Sequence, residues 1–99
     1  MIEGLVWDRG NTDELAGHTI RPHEVTDMVF WGSWIRVRNR RYPGQILVIG
    51  YTTWGRWLTV AMEPTRTPGA WRPITGWPST GREMDRYARQ KGLRRALGT

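Results

Sequence analysis

Apolar positions along the chain repeat with two different periods, and the switches between them divide it into short elements. Leu5-Val6-Trp7 is an apolar run of strand length. Asn11-Thr12-Asp13-Glu14 then has the form of a helix start, with Asn11 as cap and Glu14 three residues on reaching back, and the helix ends near Gly17. Pro22 is a favoured first helical residue, and Val25, Met28 and Val29 recur at the spacing of a buried helical face before Gly32 stops it. From Ser33 to Arg38 the period changes to two, with Trp34, Arg36 and Arg38 on one side and Ile35 and Val37 on the other. Asn39 to Gly44 reads as a basic turn. Gln45 to Tyr51 and Trp57 to Met62 are β-rich runs joined through Thr52-Thr53-Trp54-Gly55-Arg56, where Gly55 can take positive φ. Trp71 to Trp77 gives a further strand, in which Pro73, lacking an N–H, must sit at the start, on an edge or at a bulge. Thr80-Gly81-Arg82-Glu83 fits a capping box, opening a helix that turns Met84, Tyr87 and Ala88 inward.

This order predicts an α+β fold: a small antiparallel sheet of about four to five strands, with two short N-terminal helices and one C-terminal helix packed on it, mostly on one face. Residues 1–92 form one domain in this reading, followed by a basic, frayed tail over 93–99. At 99 residues the chain can bury about two-thirds of its unfolded surface, enough for one core.

Charge changes the picture. Fourteen of the fifteen cationic residues are arginine, Lys91 being the exception. Residues 1–27 hold six acidic and two basic groups, and the rest of the chain holds thirteen basic and three acidic ones. A GC-rich coding bias would raise arginine content without segregating it. Guanidinium forks clamp phosphodiesters bidentately, and a basic surface attracts nucleic acid in a salt-sensitive way. Arg36, Arg38, Arg40 and Arg41 lie among Trp34 and Tyr42, the interleaving of cations and stacking rings found at nucleic-acid sites. A solvated strand edge guarded against aggregation predicts the same pattern. The arginines of the terminal helix, Arg82, Arg86 and Arg89, share one stripe that reads as a solvated face. Among the seven tryptophans, Trp31, Trp34, Trp54 and Trp57 are candidates for a protein-binding surface.

With no cysteine there is no disulfide, thiolate nucleophile or cysteine-based zinc site, and two histidines supply at most a fragment of a metal site. No metal and no cofactor are expected. The N-terminus shows no basic leader before an apolar run and no stretch approaches a spanning length, which predicts a cytoplasmic protein with no membrane partner.

Trp7-Asp8, Asn11, His18-Thr19-Ile20 and Glu24-Val25 to Phe30 resemble the opening of BrnT-type toxins, in which a Trp-Asp, an Asn and a His-Gly-Val/Ile run precede a helix ending in Val-Phe. Ile49-Gly50, Gly55 to Val60, and Arg72 to Trp77 leading to Glu83 and Tyr87 follow the same family's later layout, so the likeness spans residues 5–90. The family is similar to the RelE/ParE group of toxin–antitoxin proteins. The resemblance implies a compact sheet with helices against it, a metal-independent endoribonuclease that inhibits translation and growth, and an antitoxin protein that neutralises it. RNA is then the substrate, and DNA is met only through the antitoxin. The alternative on the same fold is a non-enzymatic nucleic-acid-binding or inhibitory module. Two departures bear on this: Thr19 stands where the family usually has Gly, and Trp77 where many members carry an Arg.

RNA cleavage needs a base for the 2′-hydroxyl, stabilisation of the phosphate as it gains charge, and a proton for the leaving oxygen. Glu63, with Arg66 three residues on, is a candidate base beside a phosphate clamp, or else a solvated carboxylate ending a strand. Arg56 at the hairpin tip and Arg72 at the start of the last strand would reach a groove beside Glu63, or serve as ordinary loop and edge charges. His18 suits proton transfer near neutral pH, or a C-terminal interaction with its helix.

Overall fold

The computed structural model describes residues 1–92, so the predicted tail at 93–99 lies outside the described residues. The elements run β1 (Gly4–Leu5), α1 (Arg9–Ala16), α2 (Pro22–Phe30), β2 (Ser33–Arg38), β3 (Ile46–Tyr51), β4 (Trp57–Pro64), β5 (Ala70–Pro78) and α3 (Gly81–Lys91). The strands form one sheet in the order β1-β5-β4-β3-β2, an α+β fold. Three neighbouring pairs are antiparallel, but β1 runs parallel to β5, so the sheet is mixed and not wholly antiparallel. Strand β1 is also shorter and earlier than the Leu5-Val6-Trp7 expectation, because Trp7 packs against the core while only the Val6 N–H continues the pairing, to the Trp71 carbonyl.

Alternation along the strands makes two cores on opposite faces. Ile46, Val48, Leu58, Val60 and Met62 join Leu15, Ile20, Val25 and Met28 from α1, α2 and their connection. Ile35, Val37 and Ile49 face the other way and meet Tyr87 of α3, with Leu47, Tyr51 and Trp57 against them. Thus α3 lies across the sheet from α1 and α2. The placement follows from which strand residues are apolar: both faces of β3 are, so one helical layer cannot cover them.

Local chemistry explains the boundaries. The cap of α1 is Asp8, not Asn11: Asp8 Oδ1 accepts the Asn11 N–H and Asn11 Oδ1 accepts the Asp8 N–H, each at 2.9 Å. Asn11 is buried, and its Nδ2 donates to the carbonyls of Val6 (3.0 Å) and Pro73 (2.9 Å), tying α1 to β5. Nor does Glu14 reach back to a cap; it turns to β5, as described below. The Thr80–Glu83 capping box of α3 is formed as expected. Pro73 sits beside a bulge, where Ala61 pairs with Thr75 and Met62 with Pro73, so Ile74 is the extra residue. The β3–β4 hairpin turns on Gly55 at φ +88°, a conformation that a Cβ disfavours.

Thr19 also adopts positive φ, +63°, and it is the one non-glycine to do so among the described residues. A β-branched residue there is strained. Arg56 offsets the strain by donating to the Thr19 carbonyl (2.9 Å) and hydroxyl (3.2 Å). Among the described residues no helix is long and apolar enough to cross a membrane.

Candidate functional site

Helix α3 covers only the half of its sheet face nearest the β3–β4 hairpin. Over the other half lies an open groove of about 670 Å³. Its floor is Leu47, Ile74 and Trp77, one wall is α1 with Gly10, Asn11 and Glu14, and the other is the β2–β3 turn with Asn39, Arg41, Tyr42 and Gln45. Arg72 and Thr75 enter it from β5. An apolar floor with polar walls suits a ligand that is part ring and part charge.

The guanidinium of Arg72 is fixed from behind. Its Nε and Nη2 donate to Asp8 at 2.8 and 3.2 Å, and its Nη1 lies 3.7 Å from Glu63 Oε2. Glu63 and Arg72 are directly opposite across β4 and β5. The Arg72 fork holds the Asp8 carboxyl below its ordinary range, and Asp8 raises Arg72 in return. Arg41 stands on the other side, its Cζ 5.5 Å from the centre of the Tyr42 ring, with its N–H held by Asn39 Oδ1 at 3.2 Å.

Glu14 projects from α1 into the groove. Its Oε2 accepts from the Thr75 hydroxyl at 2.9 Å and is 3.2 Å from His18 Nε2. The Thr75 hydroxyl, then His18, lowers the Glu14 pKa, so it is ionised at neutral pH. His18 itself is exposed just past α1, outside the groove lining, and reaches it only through Glu14.

The structure separates several of the residues that sequence reasoning grouped. Arg66 is exposed in the loop after β4. Arg36 and Arg38 lie on the face opposite the groove, where the Arg36 guanidinium is 5.1 Å from the ring centre of the buried Trp71; Arg40 is exposed in the turn. Arg56 does not reach a groove beside Glu63. Arg56 immediately precedes β4 and Glu63 is near its other end, roughly 20 Å away at the rise of a strand. Its Nη1 is 2.7 Å from each oxygen of Glu24, which also accepts the Arg21 N–H at 2.9 Å. Burial raises the Glu24 pKa, but the Arg21 N–H and Arg56 outweigh it and leave the carboxyl below its ordinary value.

The tryptophans divide as well. Trp34 packs against the core and donates to the Val29 carbonyl at 2.9 Å, and Trp57 packs between Tyr51 and Tyr87 with ring centres 5.0 and 5.1 Å away. Trp31 and Trp54 are 70% and 56% exposed. Trp77 donates its indole N–H to Glu83, which also accepts from the Thr59 hydroxyl and the Thr80 N–H.

No family model, curated protein or solved structure matches the chain. Among the described residues no three His, Cys, Asp or Glu side chains gather in a way that would hold a metal ion.

Glu14 in the groove lining and Asp8 behind Arg72 are carboxylates that sequence reasoning did not single out for chemistry. For Asp8 the signal was present: an Asp three residues before Asn, ahead of an apolar-periodic stretch, is itself a capping pattern. For Glu14 the i,i+4 spacing to His18 was readable, but its other partner, Thr75, is 61 residues away.

Proposed function

We propose that this chain is the toxin of a toxin–antitoxin pair, a metal-independent endoribonuclease that binds RNA in the groove and stops growth until an antitoxin neutralises it in the cytoplasm. The observation that carries the reading is the groove itself: Arg72 and Arg41 come from two of its sides around an apolar floor, which suits a phosphodiester and the ring beside it. Support also comes from Thr19. At the position where the resembled family carries glycine, this chain keeps the positive φ that glycine accepts most readily.

In this reading Arg41 and Arg72 stabilise the phosphate as it gains charge, and Arg72 is pre-set by Asp8 so that little reorganisation is needed at the moment of reaction. Exposed Arg40 and Arg66 extend the attraction along the strand of RNA, and Arg38 adds to it only from the opposite face. The antitoxin docks on the exposed Trp31 and Trp54.

A second reading, RNA binding without cleavage, is favoured by one observation: both Arg72 contacts with Asp8 are already made, so the pair presents less net charge than a free arginine. Inducing the chain alone in a bacterial host separates the two. Arrest with fragmented RNA is the expected result; arrest with intact RNA selects binding alone, and growth without arrest removes the toxin reading.

A further inference from the structure

Resting on the ribonuclease reading, we infer that Glu14, and not Glu63, is the general base that removes the proton from the attacking 2′-hydroxyl, with Thr75 and His18 as positioning residues. Glu14 is the one carboxylate among the described residues that lines the groove. Both of its neighbours, the Thr75 hydroxyl and His18 Nε2, engage Oε2, which leaves Oε1 with no hydrogen-bond partner among the described residues. Thr75 belongs to β5 and His18 to the turn after α1, so the carboxylate is held between two elements in the lining that it shares with Arg72 and Arg41.

Other carboxylates have other engagements. Asp8 uses one oxygen on the Asn11 N–H and both on Arg72. Glu24 is closed by Arg56 and the Arg21 N–H at the far end of the sheet. Glu83 accepts three separate donors. Glu63 lies 3.7 Å from Arg72 Nη1 and does not line the groove.

The step balances within the substrate, the protein and water. Glu14 Oε1 takes the proton as the O2′–H bond breaks, and O2′ bonds to phosphorus as the P–O5′ bond breaks. The departing O5′ takes a proton from water, and Glu14 returns its own to solvent. The products are a 2′,3′-cyclic phosphate and a 5′-hydroxyl, with no metal or redox partner involved. Glu14 is ionised at neutral pH, the form a base needs, and its lowered pKa makes it a weaker base than an unpaired carboxylate, so its contribution rests on position beside the substrate.

The test uses the full chain and an end-labelled, mixed-sequence single-stranded oligoribonucleotide. Glu14→Gln keeps the size of the side chain and an acceptor for Thr75. It is expected to lower kcat by about 10²-fold or more with KM within about twofold, the scale of a lost general base. Thr75→Val should lower kcat at unchanged KM and Thr75→Ser should restore it, whereas a purely structural hydroxyl would leave kcat alone. Product ends should be 2′,3′-cyclic phosphates, absent when the substrate is 2′-deoxy. Full activity in Glu14→Gln with loss in Glu63→Gln overturns the assignment and leaves the ribonuclease reading standing; a wild-type chain that cleaves nothing overturns both.

Discussion

The two ends of the sheet use the same residue types for opposite purposes. At the hairpin end, the Arg56 guanidinium is closed off by Glu24 and Thr19, while Trp31 and Trp54 stand in solvent. At the groove end, Arg41 and Arg72 line an open cavity, while Trp77 has its indole N–H tied to Glu83 and lies in the floor. Neither arginine nor tryptophan content, then, says where a partner binds. What decides is whether a neighbouring element supplies the counter-charge or the packing surface. Helix α2 does so for Arg56 through Glu24, and the core does so for Trp34 and Trp57.

The largest effect should come from the aromatic half of that contrast. Trp57→Ala empties the site between Tyr51 and Tyr87, and Trp34→Ala removes a core ring together with its bond to Val29. Each is expected to destabilise the fold by about 3 kcal/mol on the scale of large-to-small core changes. Trp31→Ala and Trp54→Ala should change stability by about 0.5 kcal/mol or less, as surface substitutions do. Urea unfolding of the four variants measures this. Equal losses in all four would erase the distinction between packed and presented tryptophans, and with it the case for Trp31 and Trp54 as antitoxin anchors.

Arg56→Met strikes the charged half. It leaves the Glu24 carboxylate buried with only the Arg21 N–H, and frees Thr19 from the contacts that offset its φ. We expect a loss of about 2 kcal/mol, below the full cost of breaking a buried pair because Arg56 is partly exposed. The pH dependence gives a second measure. Glu24 has a folded pKa below its ordinary 4.5, so its contribution is present above about pH 4.5 and is lost as pH falls through the lower folded value. Removing Arg56 should flatten that acid limb of the stability curve, read by thermal unfolding across the acid range. An unchanged limb would mean that the Arg21 N–H alone holds Glu24 ionised.

How much of this was legible beforehand divides along the same line. Strands β2, β3 and β4, helix α2 and the α3 capping box follow from periods of two and three-to-four and from caps, all of which are read within a few residues. The bulge at Ile74 was foreshadowed by the missing N–H of Pro73. What was not legible depends on pairs far apart in sequence: Arg72 with Asp8, Glu14 with Thr75, Arg56 with Thr19. A 100° helical step places Glu14 and His18 on one face, but it cannot say that the last strand arrives beside them. For the same reason Arg56 and Arg72 looked equivalent in the sequence and are not in the fold.

At the groove end, Arg38→Ala together with Arg41→Ala should leave thermal stability unchanged and weaken RNA binding by about tenfold at low salt. Each neutralised phosphate accounts for roughly 0.7 in the slope of log affinity against log salt for a single strand, so losing the Arg41 contact flattens it by about 0.7, and by about 1.4 only where the strand also wraps to Arg38. Arg38 lies on the face behind the groove, so the single variants divide the effect further: Arg41→Ala alone should remove most of the affinity if RNA stays in the groove. A wild-type slope near zero would remove the nucleic-acid reading altogether.

The smallest effect is expected at the hairpin end, at Thr19. Thr19→Asn keeps a side-chain oxygen for Arg56 and substitutes a residue that tolerates the left-handed region, so it should stabilise the fold by about 0.5–1 kcal/mol. Thr19→Val keeps the β-branched strain and discards the oxygen, so it should destabilise by a similar amount. Combined with Arg56→Met, the difference between Asn and Val should shrink, because the oxygen then has no guanidinium to meet. If Asn and Val behave alike in the wild-type background, neither the strain at φ +63° nor the Arg56 contact to the hydroxyl sets the energy of this turn.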